Sequence, residues 1–69
     1  MMTFTVEYER EEDGRWLAEV VVMPGVLAYG SSSDEAIAKA QALALRVLAD
    51  KLEHGEAAPE FLNISFAAA

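Results

Sequence analysis

The sequence has no cysteine, one histidine and five basic residues against twelve acidic ones. Each shortage excludes something. Without cysteine there is no disulfide framework and no thiolate metal site. With His54 alone, no site can use two imidazoles. With so few Lys and Arg, the chain lacks the basic footprint that phosphate backbones demand, so direct nucleic-acid binding is not expected. There is also no long apolar run. The longest uncharged stretch, from Val20 to Ser33, holds Pro24, two glycines and three serines, and is too short and too polar to span a bilayer. The start, Met1-Met2-Thr3, lacks the basic and apolar regions of a secretory leader. These shortages point to a cytoplasmic protein.

What is present is one small domain covering residues 1–69, about half of the roughly 150 residues of a common domain. A chain this short hides only about 60% of its unfolded surface on folding. That leaves no room for a large enclosed active site, and neither enzymatic activity nor a cofactor is expected. The net charge is −7 and is uneven. Residues 1–35 carry eight acids and two bases, whereas residues 36–69 carry four and three. Such a field serves solubility and also favours a basic partner. Yet 54% of the residues are hydrophobic, more than so small a core can absorb. The surplus predicts a subunit interface and self-association as a dimer or higher oligomer.

Periodicity orders the elements. Phe4, Val6 and Tyr8 alternate with Thr5, Glu7 and Glu9, the period of a half-buried strand over Thr3 to Arg10. Asp13-Gly14 signals a hairpin turn, and Arg15 to Val22 is the returning strand. On it Trp16, Ala18, Val20 and Val22 share one side, and Leu17, Glu19 and Val21 the other. Met23-Pro24-Gly25 ends that strand, since proline cannot donate to a ladder. Val26 to Tyr29 is a short third strand. Ser32 and Glu35 have capping-box spacing, and an Ala- and Leu-rich helix follows from about Ser33 to His54, with Gly55 as its stop. Lys39, Arg46, Asp50 and Glu53 form one narrow polar stripe on it. Apolar residues cover more than half of its circumference, enough to bury two sides. After a connector from Glu56 to Glu60 with Pro59, Phe61 to Phe66 reads as a last strand, and Ala67 to Ala69 as a frayed tail.

The expected fold is therefore α+β, in the order β-β-β-α-β. An antiparallel meander is joined by a fourth strand beside the first, giving sheet order 3-2-1-4, with one helix packed on one face. The other face is left open. Leu17, Val21 and Tyr29 would project from it and are the expected oligomer interface, with the helix's second apolar side as the alternative source of buried area.

The ordered set Asp13, Gly14, Trp16, Ala18, Pro24, Gly25, Gly30, Glu35 and Ala36 resembles the HicB-like antitoxin family. Its pattern is an Asp-Gly turn, an aromatic two residues later, a Pro-Gly turn, a glycine and a capped helix opening with Glu-Ala. The likeness runs from about Thr3 to Phe66. It implies a partial ribonuclease-H-like fold. It also implies the binding and masking of HicA, a small basic toxin that cleaves mRNA using a histidine. Two departures are visible. Val21 and Val22 stand where many members carry a proline and an acid. The sequence also ends at Ala69, before any ribbon-helix-helix or helix-turn-helix, so DNA binding of its own is not expected.

Within that frame Glu7, Glu9 and Glu19 are the candidate partner-binding residues, supplying attraction to a basic surface. As a ribonuclease-H-like metal set they would need a cleft, and a strand face away from the helix is not expected to offer one. His54 suits a helix C-terminal cap better than a general base, having no nearby nucleophile in sequence. Ser31-Ser32-Ser33 suits capping better than phosphate binding, because Asp34 and Glu35 would repel an anion. Trp16 is expected as the central packing residue of the core. The helix's polar stripe is mixed in charge, which does not favour a lipid surface. The remaining alternative is an orphan homo-oligomeric scaffold or regulatory protein without a toxin.

Overall fold

A computed structural model of the chain describes residues 2–56 and 63–69. The expected connector at 57–60, with Pro59, and the expected strand residues Phe61 and Leu62 lie outside the described residues. The elements are β1 (Met2–Arg10), β2 (Trp16–Val20), β3 (Leu27–Gly30), α1 (Ser33–Glu53) and β4 (Ile64–Ala68). They form one four-stranded sheet in the order β3-β2-β1-β4. The pairs β1–β2 and β2–β3 are antiparallel, and β1–β4 is parallel. The α+β architecture and strand order are those the periodicity predicts.

Turn chemistry explains where the strands end. Glu11 N–H donates to Arg15 C=O at 2.7 Å, and Gly14 N–H to Glu11 C=O at 3.0 Å. With Gly14 at φ +91°, this is a three-residue hairpin loop closed by a glycine bulge. The second hairpin has a longer connection than expected, built of two successive turns. Met23 N–H bonds Val20 C=O and Val26 N–H bonds Met23 C=O, both at 3.0 Å. Pro24 and Gly25 occupy the centre of a type II turn, in which the third residue must have positive φ; Gly25 has φ +84°. Strand β2 consequently stops at Val20, and the two residues expected to continue it, Val21 and Val22, belong to the turn.

The C-terminus also differs from expectation. Ala67 and Ala68 are not frayed: they pair with Thr5 and Val6 in the parallel ladder, and Ala69 N–H donates to Val6 C=O at 3.0 Å. Backbone pairing holds these residues where their small side chains gave no sign of structure.

Helix α1 begins at the expected cap. Ser32 Oγ accepts from Glu35 N–H at 3.1 Å. The Glu35 carboxylate reaches one residue further back than in the usual reciprocal box, accepting from Ser31 N–H at 3.1 Å and Ser31 Oγ at 3.2 Å. The helix ends at His54, whose ring Nδ1 lies 2.8 Å from Asp50 C=O. Glu56 N–H to Lys51 C=O and Gly55 N–H to Leu52 C=O complete a Schellman closure.

The core lies between α1 and one sheet face. Phe4, Val6, Ala18, Val20 and Val26 meet Ala36, Ala40, Ala44 and Leu48. Alanine at three successive i, i+4 positions lets the helix axis approach the strands closely. Gly30 carries this furthest: a Cβ there would lie 2.6 Å from the Ala36 nitrogen. Trp16 is not central. It is half-buried at the margin of the core, with its ring 6.4 Å from that of Tyr8. A bulky indole cannot fit where an alanine-faced helix presses on the sheet, so Val6 and Val20 fill the centre.

Candidate functional site

The sheet face opposite α1 carries the residues singled out from the sequence. Strand alternation puts Glu7, Glu9, Leu17, Glu19, Leu27 and Tyr29 on that face. The register then arranges them in two rows. Glu7 pairs with Glu19, and Glu19 with Leu27. Glu9 pairs with Leu17, and Leu17 with Tyr29. The three carboxylates thus form one acidic cluster across β1 and β2, with an apolar border on β2 and β3. Glu7, Glu9 and Glu19 are exposed. Leu17 is half-buried, and Leu27 and Tyr29 are 39% and 40% exposed.

The cation nearest this border is already engaged. Arg15 Cζ stands 4.2 Å from the centroid of the Tyr29 ring, close enough for a cation–π contact. Its Nε also donates to Asp13 Oδ2 at 2.7 Å. Arg15 N–H donates to Asp13 Oδ1 at 3.0 Å, and this bond first, then that from Nε, holds the Asp13 carboxyl below its ordinary value. Among the described residues, no ion pair reaches Glu7, Glu9 or Glu19.

An open depression of about 360 Å³ lies here, lined by Glu7, Tyr8, Glu9, Leu17, Glu19 and Ala69. The absence of a cleft expected from the sequence is therefore corrected. Strand β4 pairs with β1 only as far as Val6, so the part of β1 beyond it leaves a step. No group of three His, Cys, Asp or Glu side chains among the described residues converges tightly enough to hold a metal ion. Opposed strand positions spread the carboxylates over a surface instead of gathering them around a point.

Val21 lies past the end of β2, 46% exposed, with its N–H donating to Thr5 C=O at 3.1 Å. Leu27 takes a place on the face that sequence reasoning did not give it. The signal was its spacing of two from Tyr29, but the third strand's short length hid the alternation. The Arg15–Tyr29 stack was invisible because it depends on the β2–β3 register.

The other candidates are occupied structurally. His54 caps α1 and stands 3.3 Å from Asp50 Oδ1. The hydroxyls of Ser31 and Ser32 are both used in the capping arrangement. A second, more apolar groove of about 310 Å³ runs between the β2–β3 turn and α1, lined by Met23, Pro24, Leu43, Val47 and Lys51 among others. No helix among the described residues is long and apolar enough to cross a membrane.

No family model matches the chain, and neither a characterised protein nor a solved structure matches it.

Proposed function

We propose that the chain is a protein-binding module of the HicB-like antitoxin kind, acting in the cytoplasm by masking a small basic toxin of the HicA type. The observation that carries this reading is the acidic cluster of Glu7, Glu9 and Glu19, which no ion pair among the described residues reaches, bordered by exposed Leu27 and Tyr29. Like charges placed opposite one another on a sheet cost stability. A basic surface laid over them removes that cost, speeds encounter and sets orientation. The apolar border supplies desolvated area, and Tyr29 is of the residue type enriched at binding hot spots. The strand order β3-β2-β1-β4, with α1 between β3 and β4 in the chain, agrees with the unit that the resemblance implies.

The module's role is occlusion, not turnover. The cluster's carboxylates stand on an open strand face, where they can steer a partner but have no enclosed substrate to act on. Co-purification from the native cytoplasm, read by native mass spectrometry, tests the proposal. A small basic protein eluting in fixed stoichiometry, and lost from Glu7→Lys/Glu19→Lys, is the expected result. Homo-oligomer alone would refute the toxin partner and favour the orphan scaffold.

A further inference from the structure

The back of α1 is a surface that neither the core nor the acidic sheet face uses. The helix faces the sheet with Ala36, Ala40, Ala44 and Leu48. On its opposite side Ala38, Ala42, Leu45, Ala49 and Leu52 follow one another at intervals of four, three, four and three. That alternation is the seam period of paired helices. A helix that only covers a sheet needs one apolar stripe, and its outer side is ordinarily polar. Here Leu45 is 48% and Leu52 43% exposed, and Ala38 and Ala49 are exposed beside them.

We propose that this stripe is the contact with a second copy of the chain, packed antiparallel about a two-fold axis. Side-chain size chooses the direction. Antiparallel helices layer Leu45 of one copy against Ala49 of the other, and Ala42 against Leu52, so each of these layers joins one large residue to one small one. A parallel pair would stack leucine on leucine and alanine on alanine, and no single helix separation would fill both kinds of layer. Charge agrees. Lys39 and Glu53 lie on the same flank of the stripe, one near each end. The antiparallel arrangement brings Lys39 of each copy, which also donates to its own Glu35 Oε1 at 3.1 Å, within reach of Glu53 of the other, making two charge pairs across the seam. Arg46 comes near its own copy at the axis, a like-charge approach that opposes pairing, with Asp50 one turn along the same flank to offset it.

The sheet face is the poorer surface for a second copy. Joining two such faces would oppose two sets of Glu7, Glu9 and Glu19. Pairing through the helices gives a β-α-α-β sandwich with an acidic face outward on each side. The seam is independent of the identity of any other partner.

Sedimentation of the full chain over a concentration series tests this. The expected mass is twice the 7.5 kDa of one chain. Leu45→Glu should raise the dissociation constant roughly a hundredfold or more, while Leu17→Glu on the sheet should leave the dimer intact. Lys39→Glu should weaken it, and adding Glu53→Lys should restore it. Direction is read by mixing Ala42→Cys and Leu52→Cys chains under oxidising conditions. With no native cysteine, a disulfide joining unlike variants reports antiparallel packing even if Leu45→Glu disturbs folding. A single-chain mass at every concentration up to about 1 mM overturns the proposal. So does a dimer broken by Leu17→Glu and not by Leu45→Glu, or a disulfide joining only like variants.

Discussion

Glu7 and Glu19 stand directly opposite each other on antiparallel strands β1 and β2, in a register that also sets Glu9 against Leu17. A sheet optimised only for its own stability would place a cation at one of these positions. The arrangement sets like charges opposite each other on the open face, a repulsion that a basic covering would relieve.

Replacing one member of that pair should show the trade. Glu19→Lys is expected to stabilise the isolated chain by about 0.5 kcal/mol, seen as a higher urea midpoint with unchanged slope. Added salt should stabilise the wild type more than the variant, because screening relieves a repulsion only the wild type has. The same change should weaken capture of a basic partner. Equal midpoints at low salt would show that Glu7 and Glu19 do not repel.

Gly30 should resist any side chain. Its Cβ would lie 2.6 Å from the Ala36 nitrogen and 3.0 Å from Glu35 Cβ. The first turn of α1 would have to lift, so Gly30→Ala is expected to cost about 1–3 kcal/mol. A chemical denaturation curve within error of wild type would contradict this close approach.

Gly25 should respond for a different reason. Nothing lies within 4 Å of a Cβ added there, but its φ is +84°. Gly25→Ala should therefore cost about 1 kcal/mol through backbone conformation alone, and Gly25→Asn less, since asparagine tolerates this region better. Equal losses for Ala and Asn would point to another cause.

Acid should loosen the start of α1. The Ser31 backbone N–H, and after it Lys39 with Nζ 3.1 Å from Oε1, hold the Glu35 carboxyl below its ordinary value of 4.5. A pKa lower in the folded chain means that stability is present above the unfolded value and lost as pH falls through the folded one. The melting temperature should therefore drop as pH is taken below about 4.5, and Glu35→Gln should flatten that drop. Asp13 adds in the same direction from its ordinary value of 3.8, through Arg15. A wild type and Glu35→Gln with parallel pH profiles would remove Glu35 from the account.

Much of this was legible in the residues because the signals are local. Alternation of Phe4, Val6 and Tyr8 with Thr5, Glu7 and Glu9 marked β1, and the Ser32–Glu35 spacing located the start of α1. Errors came where a neighbour outweighed local pattern. Val21 and Val22 have strand propensity, yet the Val20–Met23 turn claims them. Ala67 and Ala68 have little, yet the parallel pairing with Thr5 and Val6 orders them. Trp16 has the bulk of a core residue, but the alanines of α1 leave no gap for it.

The sequence alone determined the element types, the face on which Glu7, Glu9 and Glu19 stand, the excess of negative charge and the exclusion of thiol or multi-histidine chemistry. These depend on composition and on periods of two or 3.6 residues, which the chain carries within itself. Only the tertiary structure decided that Glu7 opposes Glu19, that Arg15 is spent on Tyr29, that Leu27 borders the acidic cluster and that Leu45 and Leu52 point away from the core. Those facts follow from strand register and from the height at which the helix sits. Both are set by contacts between residues far apart in the chain, with no local pattern to announce them.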